Sequence, residues 1–178
     1  MKGIIFNLLE DVVVDTYGDR MWDELLDTSG LDGVFTSLGN YDDDHVMALV
    51  SAAGAAMSLS DGEVLRWFGQ RAIPGMAKRW PAFFAPHDTT LPFLQSLNSV
   101  IHPEVRKLYT GAYCPQFEFT SAADGALMIG YNSPRRLCDL AHGFILGAGD
   151  YYRESLFVRH LECMHQGSGR CLISVKPA

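Results

Sequence analysis

The amino-acid sequence predicts an α+β fold, on three observations. Apolar residues recur at helical spacing through the N-terminal half, two alternating stretches flank the turn pair Asp124-Gly125, and a helical run separates that hairpin from a second one. With 178 residues, 48% of them hydrophobic, the chain can bury a sizeable core as one domain or as two tightly joined halves.

Ile4, Ile5, Leu8, Leu9, Val12 and Val13 lie on a helical repeat, so a first helix runs to about Tyr17 and Gly18 stops it. Residues 19–26 read as a second, short helix. Residues 30–41 are polar and contain glycine, hence a loop. Asp42, Asp43 and Asp44 open a helix over 45–57, where acidic side chains suit the positive N-terminal end. Ser60 with Glu63 three residues on forms a capping box for the next helix, which carries Val64, Leu65, Trp67 and Phe68; Pro74-Gly75 bends or ends it. After Pro92 the pattern is helical through Tyr109, with Pro103 inside. Residues 116–121 and 126–133 alternate as strands around Asp124-Gly125. Residues 134–152 read as a long helix, and 155–164 with 170–175 as a second hairpin about Gln166-Gly167-Ser168-Gly169.

Composition narrows the function classes. The net charge of −7 argues against a nucleic-acid partner. No run of about 18 apolar residues is present, so no membrane span is expected. Glu10, Asp11 and Asp15 interrupt the apolar N-terminal stretch, which has no basic region or small-residue cleavage site and so does not read as a secretory signal. Four cysteines in such a chain point to reduced thiols or metal ligands rather than a disulfide frame, with the cytoplasm as the expected compartment.

Two motifs carry chemistry. His102 lies in Ile101-His102-Pro103-Glu104-Val105, and Pro103 suits the first position of a helix, placing His102 at its start. An imidazole there either projects into a cavity as a neutral ligand or caps the helix at the surface. The second motif is Tyr131-Asn132-Ser133-Pro134-Arg135. In an extended segment residues i, i+2 and i+4 point the same way, and Pro134 pushes Ser133 toward extended geometry. Tyr131, Ser133 and Arg135 then present two hydroxyls and a guanidinium to one target, a set that suits a carboxylate such as a haem propionate. The same residues could equally form a strand end with a surface arginine.

Together with the opening Met1-Lys2-Gly3-Ile4-Ile5-Phe6-Asn7, these residues resemble the haem-nitric oxide/oxygen-binding (H-NOX) family over essentially the whole chain. His102 falls at that family's proximal haem ligand, Tyr131, Ser133 and Arg135 match its Tyr-x-Ser-x-Arg motif, and Gly143 and Gly147 also fit. The resemblance implies one H-NOX domain: a helical distal half (about 1–65) packed on a mixed α/β proximal half with antiparallel strands (about 66–178), with haem b between. Pro115 falls where the family has a proline pressing on the haem, and Ile5 at another haem-packing position.

The same resemblance bears on the gas. Bound dioxygen gains from a distal hydrogen-bond donor and nitric oxide needs none, so distal polarity is a lever for ligand choice. Leu140 stands where oxygen-binding members have a tyrosine, Leu9 and Ala72 take its partner positions, and Met76 and Phe144 complete an apolar wall. The expectation is a nitric-oxide-selective member that also binds carbon monoxide. His142, two residues from Leu140, should face elsewhere. Nitric oxide would weaken the bond to His102, free its helix and shift the two halves, a ligand-biased switch.

Cys138, His160, Cys163 and Cys171 form a second candidate site, since thiolates and an imidazole in this number suit tetrahedral zinc, and some H-NOX proteins carry zinc at matching positions. His160 and Cys163 face oppositely on a regular strand, so a bulge or a strand end is needed, or His165 replaces His160. Small buried residues in a helix–hairpin core are the other reading. Cys114 is left as a lone thiol. The expected activity is that of a non-enzymatic sensor. A haem enzyme would need a distal acid–base residue, which the expected wall lacks. A zinc–thiol redox sensor or a nitric oxide scavenger would also accommodate these residues. The chain ends soon after its last expected strand, so its state is expected to pass to a separate protein. Stand-alone bacterial members of the family usually signal to a histidine kinase or a cyclic-di-GMP enzyme.

Overall fold

A computed structural model describes residues 1–178. Helix α1 (Gly3–Tyr17) ends at Gly18, whose φ is 86°. Helix α2 (Asp19–Ser29) runs a turn further than its periodicity predicts, to a left-handed Gly30 that accepts the reversal without a Cβ clash. An irregular stretch then returns to the N-terminus, where Lys2 bridges Asn40. Helix α3 (Asp43–Met57) follows. Helix α4 (Asp61–Arg79) starts with the expected capping box: the Ser60 hydroxyl accepts from the Glu63 N–H while the Glu63 carboxylate accepts from the Ser60 N–H.

Pro74 does not end α4, which continues to Arg79. Proline has no N–H for the carbonyl four residues back, here that of Gln70. Helix α8 (Cys138–Tyr152) passes at that point. A Cβ on Gly147 would meet the Gln70 oxygen at 2.4 Å, and one on Gly143 would meet the Arg66 oxygen at 2.2 Å, so glycine is required at both. Arg66 with Asp139 (2.7 Å) and Gln70 with Asp150 (2.7 Å) link the two helices along their length.

The expected single helix between Pro92 and Tyr109 is three pieces. After the short α5 (Pro81–Phe84) come α6 (Thr90–Gln95), a π-helical turn (Leu97–Ile101) and α7 (His102–Leu108). Strands β1 (Gln116–Ser121) and β2 (Leu127–Asn132) form the first hairpin, with Gly125 at φ 82° in its turn. Helix α8 begins four residues later than predicted, because residues 133–136 make a tight turn with Arg136 at φ 52°. Strand β3 (Leu156–Glu162), a 3₁₀ turn (Met164–Gln166) and β4 (Cys171–Pro177) complete the chain.

The four strands form one antiparallel sheet in the order β1-β2-β4-β3. One face is covered: Leu127, Ile129 and Tyr131 on β2 and Cys171, Ile173 and Val175 on β4 are buried. Buried apolar residues fall into two large groups that divide on α4 between Ala72 and Ile73. The first draws on α1 to α4 with Leu140; the second joins the rest of α4, α6 and α8 to the sheet. Helix α4 runs across the division expected near residue 65 and serves both. No helix is long and apolar enough to cross a membrane.

Candidate functional site

Where the two cores meet, the chain encloses a cavity of about 300 Å³ lined overwhelmingly by hydrophobic side chains. Ile5 from α1, Met76 from α4, His102 from α7, Pro115 before β1, Tyr131, Ser133 and Arg135, and Leu140 and Phe144 from α8 all reach it. Leu9 and Ala72 do not. Both are 1% exposed and pack in the distal core, while Leu8 reaches the cavity beside Ile5. A residue's step of about 100° around a helix separates neighbours onto different faces, so Leu9 turns inward where Leu8 turns to the cavity.

His102 is the first residue of α7, and the residues before it are helical too, so it sits at a π–α junction rather than at an open helix start. Burial, then the charge of nearby Arg106, lower its pKa to about 4, against an opposing pull from the Pro115 backbone carbonyl. The imidazole is therefore neutral at pH 7, and its buried Nδ1 makes no hydrogen bond. Its ring stacks near Phe117, centroids 5.8 Å apart and planes at 28°. A neutral imidazole with an unpartnered ring nitrogen on an apolar wall has the donor chemistry of an iron ligand.

The Tyr-x-Ser-x-Arg residues converge by a turn, not by extension through Arg135. Strand β2 stops at Asn132. The Ser133 hydroxyl accepts the Arg135 N–H at 3.3 Å, and the Ser133 carbonyl accepts the Arg136 N–H at 3.0 Å. The Tyr131 hydroxyl accepts the Leu137 N–H at 3.0 Å, fixing the start of α8. Arg135 Nε donates to Asp43 at 2.6 Å, and Nη1 donates to the Tyr113 carbonyl at 3.1 Å. One guanidinium edge is thus held by protein while the residue still lines the cavity.

Sequence reasoning missed several walls of this cavity. Trp80, Phe83, Phe84, Leu97 and Tyr109 line it, and all lie near or beyond the Pro74 at which the helix was expected to bend or end. Cys114, read as a lone thiol, lines it as well, and burial pushes its pKa up.

The cysteines form a separate site. The sulfurs of Cys138, Cys163 and Cys171 lie within 4.8 Å of one another, all buried, with Cys138 and Cys163 at 3.9 Å. A tetrahedral zinc with Zn–S near 2.3 Å sets its sulfurs about 3.8 Å apart, so the spacing fits one ion. The Met164 N–H donates to Cys171 Sγ at 3.2 Å, a contact that suits a thiolate. Burial, then the neighbouring thiol of Cys171, push the Cys138 thiol up, and burial does the same to Cys171; a divalent cation would reverse this.

His160 does not complete the group. None of its nitrogens lies within 4.8 Å of all three sulfurs. The register shift between His160 and Glu162 supplies the bulge that the spacing requires, yet the ring stacks on His142, centroids 5.1 Å apart, with Nε2 buried and unpartnered. His165 groups instead with Cys138 and Asp139, its Nε2 2.7 Å from the Arg136 carbonyl oxygen.

Comparison with known proteins agrees with this geometry. A family model described as Haem-NO-binding matches residues 2–160. The chain is similar to an H-NOX protein from S. oneidensis crystallised in the Fe(II)NO ligation state: 31% identity, TM-score 0.93, covering 100% of this chain and 99% of that one. It is likewise similar to an H-NOX domain from Shewanella oneidensis solved by NMR in the Fe(II)CO state (31% identity, TM-score 0.90, 100% and 99% coverage). A Fe(II) unliganded H-NOX protein from K. algicida matches at 25% identity and TM-score 0.87, covering 100% and 97%.

Proposed function

Because the chain belongs to the haem-NO-binding (H-NOX) family, we propose that it is a haem-based sensor of nitric oxide that signals to a separate protein. The observation that carries this reading is His102: a neutral, half-buried imidazole on the wall of an apolar cavity that Tyr131, Ser133 and Arg135 also line. Haem b, when bound, supplies a ferrous iron with an open position for a diatomic gas. His102 would hold the iron. Tyr131, Ser133 and Arg135 would hold the propionates through two hydroxyls and a charge. Pro115 and Ile5 would pack on the macrocycle. Met76, Leu140 and Phe144, none of which carries a hydrogen-bond donor, would wall the gas side, which favours nitric oxide and carbon monoxide over dioxygen.

Release of His102 would free α7, and so loosen the proximal half from the distal one. That change is the signal, and a partner senses it by binding the two states with different affinity. A histidine kinase or a cyclic-di-GMP enzyme suits a member that has no catalytic role of its own. One zinc on Cys138, Cys163 and Cys171, with His165 in place of His160 as the fourth ligand, would brace the helix–hairpin junction. A thiol–zinc redox switch is the second reading, supported by the 3.9 Å approach of Cys138 to Cys163.

The deciding experiment is the visible spectrum of the purified ferrous protein in air and with nitric oxide, on wild type and His102→Gly. Expected are no stable oxy spectrum, a nitrosyl spectrum lacking a histidine ligand, and loss of protein-anchored haem in His102→Gly that imidazole restores. A persistent oxy spectrum overturns the gas assignment. An unchanged His102→Gly spectrum overturns the ligand assignment.

A further inference from the structure

Strand β1 is an edge of the sheet, paired only with β2. Edge strands present unpaired main-chain groups on their open side. At Phe117 that side is closed by a side chain. Asn98 Nδ2 donates to the Phe117 carbonyl at 2.5 Å, and the Phe117 N–H donates to Asn98 Oδ1 at 3.3 Å. The carboxamide of Asn98 thus takes the place of a neighbouring strand for one residue.

Asn98 lies in the π turn, four residues before His102. The turn is defined by wide bonds: the Ile101 N–H donates to the Ser96 carbonyl at 3.2 Å and the His102 N–H to the Leu97 carbonyl. Such one-turn insertions are frequent at functional sites because they displace the side chains on either side of them. Here Phe117 is held twice from the same segment, its main chain by Asn98 and its ring by the stack against His102. The ring of Phe117 also packs against Tyr131, centroids 5.7 Å apart.

We infer that Asn98 is a positioning residue for His102: by locking the π turn onto β1 it holds the imidazole against Phe117 in one orientation and resists its withdrawal from the cavity. This rests on the reading of His102 as the iron ligand. The ligand helix is then tethered on its N-terminal side to the sheet, so a released His102 swings about Asn98 rather than drifting with the whole segment. The expected consequence is that the clamp, not only the iron, sets how fast histidine is lost when a gas binds.

The test uses the full chain loaded with haem, as Asn98→Leu, which keeps the size and removes both hydrogen bonds, and Asn98→Gln, which keeps a donor and an acceptor. The readouts are the iron–histidine stretching band of the ferrous protein by resonance Raman and the stopped-flow rate of histidine loss after nitric oxide. Asn98→Leu is expected to broaden the band and move it to lower frequency, with histidine loss several-fold faster; Asn98→Gln recovers part of both. An unchanged band and rate in Asn98→Leu overturn the positioning role alone. Absence of any iron–histidine band in the wild type overturns the ligand assignment and the positioning role together. Amide exchange in the wild-type protein gives an independent check that needs no variant to fold. The Phe117 amide should be protected while the Phe119 amide, two residues on along the same open edge, exchanges freely; equal exchange at both overturns the clamp.

Discussion

At the scale of single residues, Asp43 joins three parts of the chain. Its carboxylate accepts from the Met1 ammonium and from Arg135 Nε, each at 2.6 Å, so α3, the N-terminus and the turn after β2 meet there. Burial pushes the Asp43 carboxyl up, but its hydrogen bonds to Arg135 and the ammonium, with their charges, prevail and hold it below its ordinary value of 3.8. A carboxyl lowered on folding contributes stability that is complete above its unfolded pKa and lost as pH falls through the folded one. Asp43→Asn should therefore cost stability at pH 7, on the order of 1 kcal/mol for a pair this exposed. The cost should shrink as denaturation is repeated below pH 3.8; a difference constant with pH would refute the ion-pair account. Leu140 offers a second test at this scale. It lines the cavity at 8% exposure and carries no donor. Leu140→Tyr should raise dioxygen affinity, read as an oxy spectrum in air that the wild type is expected to lack.

At the scale of elements, the contact of α4 with α8 decides the shape of the cavity, because Met76 on one and Leu140 and Phe144 on the other form its wall. A methyl group at Gly143 would overlap the Arg66 carbonyl, which is helix backbone and cannot swing aside. Gly143→Ala should therefore cost about 2–3 kcal/mol or more, at the upper end of overpacking penalties. The measurement is the midpoint of urea unfolding; a midpoint within error of wild type would mean that the helices separate freely. By contrast Gly169, with no atom within 4 Å of its would-be Cβ, should accept alanine with little change. The start of α4 was legible in Ser60 and Glu63, since a capping box is complete within four residues. Its passage through Pro74 was not. Proline removes one hydrogen bond locally, and only the packing of Ile73 and Ala77 into the second core outweighs that loss.

At the scale of the whole molecule, two cores meet across a cavity, and whatever fills the cavity should couple them. Haem bound to the folded chain alone stabilises it by mass action. The haem-loaded protein is thus expected to melt higher than the haem-free one, with a midpoint that rises as free haem is added. A common midpoint would place the haem outside the fold. The thiol site makes a parallel prediction: elemental analysis of protein purified under reducing conditions should find one zinc per chain, lost in a Cys138→Ala, Cys171→Ala double variant. Much of this molecule was readable in one dimension. Helical and strand periods, the Asp124-Gly125 turn, the capping box and the Tyr-x-Ser-x-Arg spacing are each written within a few residues, and local sterics and hydrogen bonding suffice to interpret them. The sequence by itself determined the α+β class, the order of most elements and the residues worth watching. Tertiary structure alone decided that Leu8 rather than Leu9 faces the cavity, that His160 turns to His142 and away from the three sulfurs, and that Asn98 reaches Phe117. In each case the outcome depends on which distant side chain competes for the same space or the same polar atom, and no local period encodes that competition.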